Sequence, residues 1–520
     1  MVSHTSRRNV LRGGFCTAAA ATGTPPGPLV EAVDIELDSL EPLPASRVGW
    51  GDARHLSLSA RGRNHRFDGR PDHVWVAGRT GDVVRAVQDA VHTRRRIAAR
   101  SGGHCYEGFV ADPDVRTVID MSGMAAVYWD EARRAHAVEA GATLGETYRR
   151  LYLGWGVTVP AGRCPSVGAG GHVVGGGSGP LSRTLGLSVD HLYAVEVVVV
   201  DAAGRARSVI ATRDPEDPHR DLWWAHTGGG GGTFGVVTRY WFRDLPSPPA
   251  AALTFDVRWP WRGLDRASFV RMLDAHGRWI ERNSTPGMPS NRLYSELRLT
   301  RPGSGEIALV GQVASASRGY AERLLADHVT AISAGLPVRP TVRTRFQPWL
   351  ASALEDSPAG FPRLKAKSAH LRTRLSTRQS ETLYRHLTRE DYDHPGGCLT
   401  LCTSGGMVNA IAPDATAVPH RDAVMKLTLV NGWDGPEDEP RHLAWTRETY
   451  RDLFAGSGGV PPAEDGALIN YPDIDLADPL WNKGAPWQRL YFGANHARLR
   501  RVKARWDPRA VFHHPLSVRA

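Results

Sequence analysis

Between Gly168 and Gly179 the chain carries seven glycines, inside the run Arg163-Cys164-Pro165-Ser166-Val167-Gly168-Ala169-Gly170-Gly171-His172-Val173-Val174-Gly175-Gly176-Gly177-Ser178-Gly179-Pro180-Leu181-Ser182-Arg183. Glycine lacks a Cβ and adopts backbone conformations closed to other residues, so such a run lets main-chain N–H groups approach a ligand closely. Consecutive N–H donors make a concavity suited to an anion such as a pyrophosphate. A glycine run alone describes a plain flexible loop equally well. A second stretch narrows the choice. Arg100-Ser101-Gly102-Gly103-His104-Cys105-Tyr106-Glu107-Gly108-Phe109 follows Arg96-Ile97-Ala98-Ala99, which reads as a strand. Two glycine turns, one offering His104 and the other Cys164, are arranged to grip one large cofactor from two sides.

At 520 residues, with 41% hydrophobic and 23% charged content, the chain is globular in composition and long enough for two or three cores. Its net charge is +10, carried by 64 basic residues that are nearly all Arg and spread along the chain. Without a basic block this describes a solvated surface and argues against a nucleic-acid partner. No apolar run reaches membrane-spanning length. Cys16, Cys105, Cys164, Cys398 and Cys402 do not form a disulfide framework. Cys398 and Cys402 fall in one expected strand, roughly 13 Å apart and too far to bridge. Cys105 reads as a small buried side chain. The histidines have no metal-ligand spacing, so no metal is expected.

The N-terminal Ser6-Arg7-Arg8-Asn9-Val10-Leu11-Arg12, followed by a short weakly apolar stretch, is similar to a twin-arginine export signal. Export by that route is the expectation, and a cytoplasmic protein with an Arg-rich tail is the alternative. Residues 22–28 read as a linker. From Pro71 to Thr238 the pattern alternates strands with amphipathic helices, including a helix capped at Thr80 and a doubly buried strand at Ala194–Val200. Pro246-Ser247-Pro248-Pro249 marks a boundary. Beyond it, strands at 253–257, 296–299, 307–310, 399–402 and 426–430, with helices at 266–282 and 321–334, predict an antiparallel sheet carrying helices on one face.

With both loops present in this order, the chain resembles the berberine-bridge-enzyme-like flavoproteins of the vanillyl-alcohol-oxidase (PCMH-type) fold. The likeness is greatest to bacterial hexose, oligosaccharide and glycopeptide-antibiotic oxidases. In bicovalent members FAD is bonded to a His in R-S-G-G-H and to a Cys in G-x-C-x-x-V-G-x-G-G, which match His104 and Cys164. The resemblance implies an α+β fold: a PCMH-type FAD-binding domain of two α/β subdomains, plus an antiparallel-sheet substrate domain with helices on one face. It divides the chain into a signal and linker (1–45), the FAD-binding domain (46–245), the substrate domain (246–464) and a tail returning to the first domain (465–520). It implies cofactor contacts from Arg100, Ser101, Gly102, Gly103 and Gly108 at the first loop. At the second it implies Val167, Gly168, Gly171, His172, Gly175, Gly176 and Gly177, with Val237 on the adenine side and Asn470 and Tyr471 from the tail.

The implied reaction is oxidation of an alcohol. Tyr471 takes the hydroxyl proton while hydride passes to flavin N5, and O2 reoxidises the flavin to give H2O2. A free phenol has a pKa near 10, so Tyr471 needs a nearby cation or hydrogen bonds to act as a base. Val167, three residues after Cys164, matches the position whose Val accompanies oxidase behaviour in relatives. Ser178 stands where sugar-oxidising relatives often carry Tyr, which makes it a candidate substrate residue and casts doubt on a simple sugar substrate. Three readings follow: an oxidase of a sugar, glycosylated or aromatic natural product; a flavoprotein reoxidising a reduced quinone drug; and a drug-sequestering flavoprotein without turnover.

Overall fold

In the computed structural model, which describes residues 44–355 and 360–520, three sheets are laid down in chain order. The twin-arginine stretch, Cys16 and the linker at 22–28 lie outside the described residues. The first sheet runs Ser46–Gly49, His73–Val76, Val115–Asp120, Arg96–Arg100, the last three strands parallel. Helix Thr80–His92 makes the crossover that a parallel pair requires. Its cap is Arg79, not Thr80: the Asp82 carboxylate accepts from the Gly78 and Arg79 N–H groups. The Thr80 hydroxyl instead donates to Glu196 at 2.8 Å.

The second sheet, ordered Val127–Asp130, Ala135–Glu139, Val236–Phe242, Leu192–Val200, Ala206–Thr212, is wholly antiparallel. All nine residues of Leu192–Val200 are buried. Val195, Val197 and Val199 enter the main core, whereas Val198 and Val200 enter a smaller one shared with helix Thr80–His92. The strand's period of two therefore feeds opposite cores, each buried Val contributing about 1.5–3 kcal/mol.

The third sheet has seven antiparallel strands, ordered Thr341–Pro348, Ala251–Pro260, Glu306–Ala314, Leu293–Leu299, Gly397–Thr403, Met425–Trp433, Arg363–Leu371. On its central strands Leu297, Leu399, Leu401, Leu427 and Leu429 face the main core. The alternate residues Glu296, Arg298, Cys398, Thr400, Cys402, Lys426 and Thr428 line a cavity. Helices Arg266–Arg282, Arg318–Ser333, Thr377–Thr388 and Glu439–Leu453 contribute apolar residues to that core. The strands Thr341–Pro348 and Arg363–Leu371 escape the sequence pattern. The first is an exposed edge, and the second buries Lys365 and Lys367 where a core strand ordinarily carries apolar residues.

The glycine-rich run is part helix: Ala169–Val174 is helical, and the turn follows it. Arg183 closes the run. Its buried guanidinium donates to the carbonyls of Ser404 (2.9 Å) and Leu293 (2.6 Å), to the Asn283 carbonyl, and to Asn291 Oδ1 (3.2 Å), tying the run to the third sheet. Among the described residues no helix is long and apolar enough to cross a membrane.

Candidate active site

A cavity of about 1240 Å³ opens where the two glycine loops, the third sheet and the C-terminal tail meet. Pockets for one drug-sized ligand span roughly 300–1,000 Å³, so this one has room for a cofactor and a second molecule.

The His104 loop is fixed from beneath. Arg100 ends its strand with a buried guanidinium on Asp120 at 2.7 Å, and Arg100 also donates to the Arg61 carbonyl at 3.0 Å. Ser101 Oγ donates to the Ala140 carbonyl at 2.6 Å. The Cys164 loop is held by the start of helix Leu144–Trp155. The Leu144 and Gly145 N–H groups donate to the carbonyls of Val167 (2.8 Å) and Pro165 (2.9 Å), and Thr143 caps this helix. The loops touch backbone to backbone. A Cβ on Gly102 would lie 2.3 Å from Gly168 N, and one on Gly168 would lie 2.0 Å from Ser101 Oγ. These glycines thus serve the contact between the loops. Gly171 differs: a Cβ there would meet nothing within 4 Å.

Ser166 joins the two candidate attachment residues. Its Oγ lies 3.1 Å from His104 Nε2 and 3.3 Å from Cys164 Sγ. Burial, reinforced by Arg63, lowers the His104 pKa and so favours the neutral, nucleophilic imidazole. Cys105 is unsuited to attachment, because burial pushes its thiol up to about 11.

FAD fits these residues on three counts. The cavity is large, and an imidazole and a thiol converge on its wall. The Gly102, Gly103 and His104 N–H groups have no hydrogen-bond partner among the described residues, and Gly103 has φ +76°, the kind of nest that takes a phosphate.

The tail delivers Tyr471 in a turn closed by its own N–H on the Leu468 carbonyl at 3.0 Å. Asn470 Nδ2 donates to the His172 carbonyl at 3.2 Å and sits where a Cβ on Gly175 would intrude. The Tyr471 ring packs on Tyr106, centroids 5.2 Å apart. The neighbouring Tyr106 phenol and burial together raise the Tyr471 pKa well above its ordinary value, and Arg163 opposes them.

Across the cavity, Glu296 accepts from Arg298 at 2.7 Å and from Tyr294 Oη at 2.9 Å, with Arg163 at 3.9 Å. Burial disfavours its charge, but Arg163 and Arg298 overcome that and hold the carboxyl below its ordinary value. Lys426 Nζ donates to Ser178 Oγ at 2.8 Å.

Beneath Tyr471 lies a buried ionic cluster. Lys365 meets Glu107 and Asp473, each at 2.6 Å; Lys367 meets Asp473 and Asp475, each at 2.8 Å; Arg447 reaches Asp475 at 2.8 Å. It ties the His104 loop, the third sheet, helix Glu439–Leu453 and the tail just after Tyr471.

Arg100, Ser101, Gly102, Gly103, His104, Cys164, Val167, Gly168, Gly171, His172, Gly175, Gly176, Gly177, Ser178, Val237, Asn470 and Tyr471 all line the cavity. Gly108 does not: it packs beneath Phe67, whose ring would stand 2.7 Å from a Cβ there. The Arg100 guanidinium is engaged by Asp120. His172 is a half-buried acceptor for the Gly162 N–H at 3.0 Å, and desolvation together with Lys426 lowers its pKa to about 4. Gly176 and Gly177 have φ of +111° and +68°, which the turn requires. Tyr106, Ser166, Arg163, Glu296 and Lys426 were not foreseen as site residues. Tyr106 and Ser166 lie inside the two motif stretches, and the alternation along 294–298 was the available signal for Glu296.

Two family models match the chain: "FAD binding domain" over residues 71–209 and "Berberine and berberine like" over residues 467–519. Aclacinomycin-N/aclacinomycin-A oxidase of Streptomyces galilaeus is 50% identical over 490 residues, 91% of this chain and 89% of that protein. The chain belongs to the berberine-bridge-enzyme-like family of FAD-binding oxidases. The crystal structure of aclacinomycin oxidoreductase superposes with a TM-score of 0.89 at 49% identity, covering 91% of this chain and 99% of that one. That of a glycopeptide hexose oxidase complexed with teicoplanin gives 0.89 at 47% identity, covering 92% and 100%. As a member of this family the chain is an FAD-dependent oxidoreductase with the PCMH-type fold. The first glycine loop lies inside the FAD-binding match, as does the Cys164 run, and Tyr471 inside the other.

Proposed function

We propose that this protein is a bicovalent FAD oxidase that oxidises an alcohol of a glycosylated or aromatic natural product. The observation that carries the reading is the convergence of His104 and Cys164 on Ser166 Oγ at the wall of the cavity that also receives Tyr471. Names of relatives support the substrate class: one is an aclacinomycin oxidase, and another is a hexose oxidase bound to a glycopeptide.

Bound FAD supplies the hydride acceptor and returns its electrons to O2 as H2O2. His104 and Cys164 are the two nucleophiles that hold it, and the partnerless N–H groups of the first loop take its diphosphate. Tyr471 accepts the substrate hydroxyl proton at Oη. Asn470 and the ionic cluster hold the turn that carries it, Tyr106 packs on its ring, and Arg163 is the cation that favours its phenolate. Val167 lines the same cavity and is the residue that favours O2 as acceptor. The same reading has the folded, flavin-loaded chain exported on the Arg7-Arg8 signal.

Two measurements test this. Peptide masses should show one flavin attached to both His104 and Cys164, and a single link in His104→Ala or Cys164→Ala. Anaerobic mixing with an anthracycline glycoside should bleach the flavin absorbance, and Tyr471→Phe should slow that by at least a hundredfold, as loss of a general base does. Bleaching only by a chemically reduced quinone, unaffected by Tyr471→Phe, would assign the protein to quinone reoxidation instead.

A further inference from the structure

The chain contains only five lysines. Lys365, Lys367 and Lys503 are fully buried, and each meets a carboxylate: Glu107 and Asp473, Asp473 and Asp475, and Asp507 at 2.6 Å. Lys483 is exposed. Lys426 stands apart. It lines the cavity from strand Met425–Trp433, yet its ammonium has three donors and uses one, on the neutral Ser178 Oγ. No carboxylate pairs with it among the described residues. Glu296, the carboxylate whose charge acts on it through space, is occupied by Arg298, Tyr294 and Arg163.

A desolvated ammonium needs a counter-ion. The wall around it supplies more positive charge still: Lys426, Arg163 and Arg298 face a single carboxylate, Glu296. Ser178 adds a hydroxyl beside the ammonium, and its small side chain leaves the approach open. We propose that Lys426 and Ser178 form an anion subsite that takes a carboxylate or ionised phenol of the substrate while a separate hydroxyl is oxidised. This deepens the alcohol-oxidase reading and rests on it. The substrate class becomes a natural product bearing both an oxidisable alcohol and an acidic group. A carboxylate and a phenolate present the same chemistry here, a negative oxygen that accepts two charge-assisted hydrogen bonds.

The test is equilibrium binding to the flavin-loaded protein, read by calorimetry and by perturbation of the flavin spectrum, with sodium benzoate, with 4-nitrophenolate and with neutral benzamide. Binding is measured without turnover, so it stands or falls apart from alcohol oxidation. Benzoate or nitrophenolate, or both, should bind the native protein more tightly than benzamide, and whichever binds names the acidic group. Lys426→Met should weaken the anions at least about tenfold and leave benzamide unchanged. Ser178→Asp, which keeps the lysine but supplies an internal counter-ion, should do the same. This second variant decides the matter if Lys426→Met does not fold. Equal affinity for the anions and benzamide, or unchanged anion affinity in Ser178→Asp, would overturn the proposal. So would a parallel loss of all three ligands in the variants, because Lys426 would then shape the cavity rather than bind charge.

Discussion

At the residue scale the proposed alcohol oxidation turns on the ionisation of one phenol. Tyr471 lies against Tyr106, and two adjoining phenols resist double ionisation, so Tyr106 and burial both hold the Tyr471 proton in place. A base works only in its deprotonated form, so the rate should rise with pH through the Tyr471 pKa. Arg163 is the cation that opposes the upward shift. Arg163→Ala should therefore move the rising limb of kcat/KM to higher pH, leaving the limiting rate at high pH much less affected than the rate at pH 7. A uniform loss across the pH range would mean that Arg163 positions substrate instead of tuning the phenol. His104 and Cys164 were legible from sequence as candidates because each stands in a glycine turn whose motif resembles that of flavin-binding relatives, and the fold brings both to one cavity. The field around Tyr471 was not, because Tyr106, Glu296 and Arg163 are brought to it by folding over very different chain separations.

At the element scale the strand Arg363–Leu371 is the informative failure. Strands announce themselves by apolar alternation, and this one buries Lys365 and Lys367 among three carboxylates from two other segments, Glu107 in the His104 loop and Asp473 and Asp475 in the tail. Its partners reveal the strand only once the fold has formed. The central strands of the same sheet were readable because leucines alternate with polar residues: Leu297 and Leu299 flank Arg298, and Leu399 and Leu401 flank Thr400. The ionic cluster has a measurable consequence. Burial disfavours the charge of Asp475, but Lys367, Lys365 and Arg447 outweigh it and hold the carboxyl far below its ordinary 3.8. A depressed carboxylate stabilises the fold at pH values above its unfolded pKa, and that contribution fades as pH falls below about 4. Asp475→Asn should therefore cost about 3–5 kcal/mol at pH 7, the scale for breaking a buried pair. Denaturant unfolding should show the gap between variant and native protein narrowing below pH 4. A gap that is constant with pH would mean that the amide's packing, not the lost charge, sets the cost.

At the scale of the whole molecule, the glycines that made the chain recognisable serve two ends. Gly102 and Gly168 let the two loops press together, Gly175 admits Asn470, and Gly171 leaves space open on the cavity side. From sequence these roles look alike, since each needs only the missing Cβ. The loops, the third sheet and the tail therefore share one large cavity that no side chain fills. A ligand that binds only the folded state stabilises it by mass action. On the proposed bicovalent attachment, His104→Ala/Cys164→Ala should leave FAD a dissociable ligand. The stripped protein should then melt below the native one, and added FAD should restore about 2.7 kcal/mol at a hundred times its Kd. Thermal unfolding across an FAD titration checks this. A Tm that ignores FAD would mean that the loops and the tail hold their places through Ser166, Asn470 and the Lys365 cluster alone, and that the flavin enters a cavity already rigid.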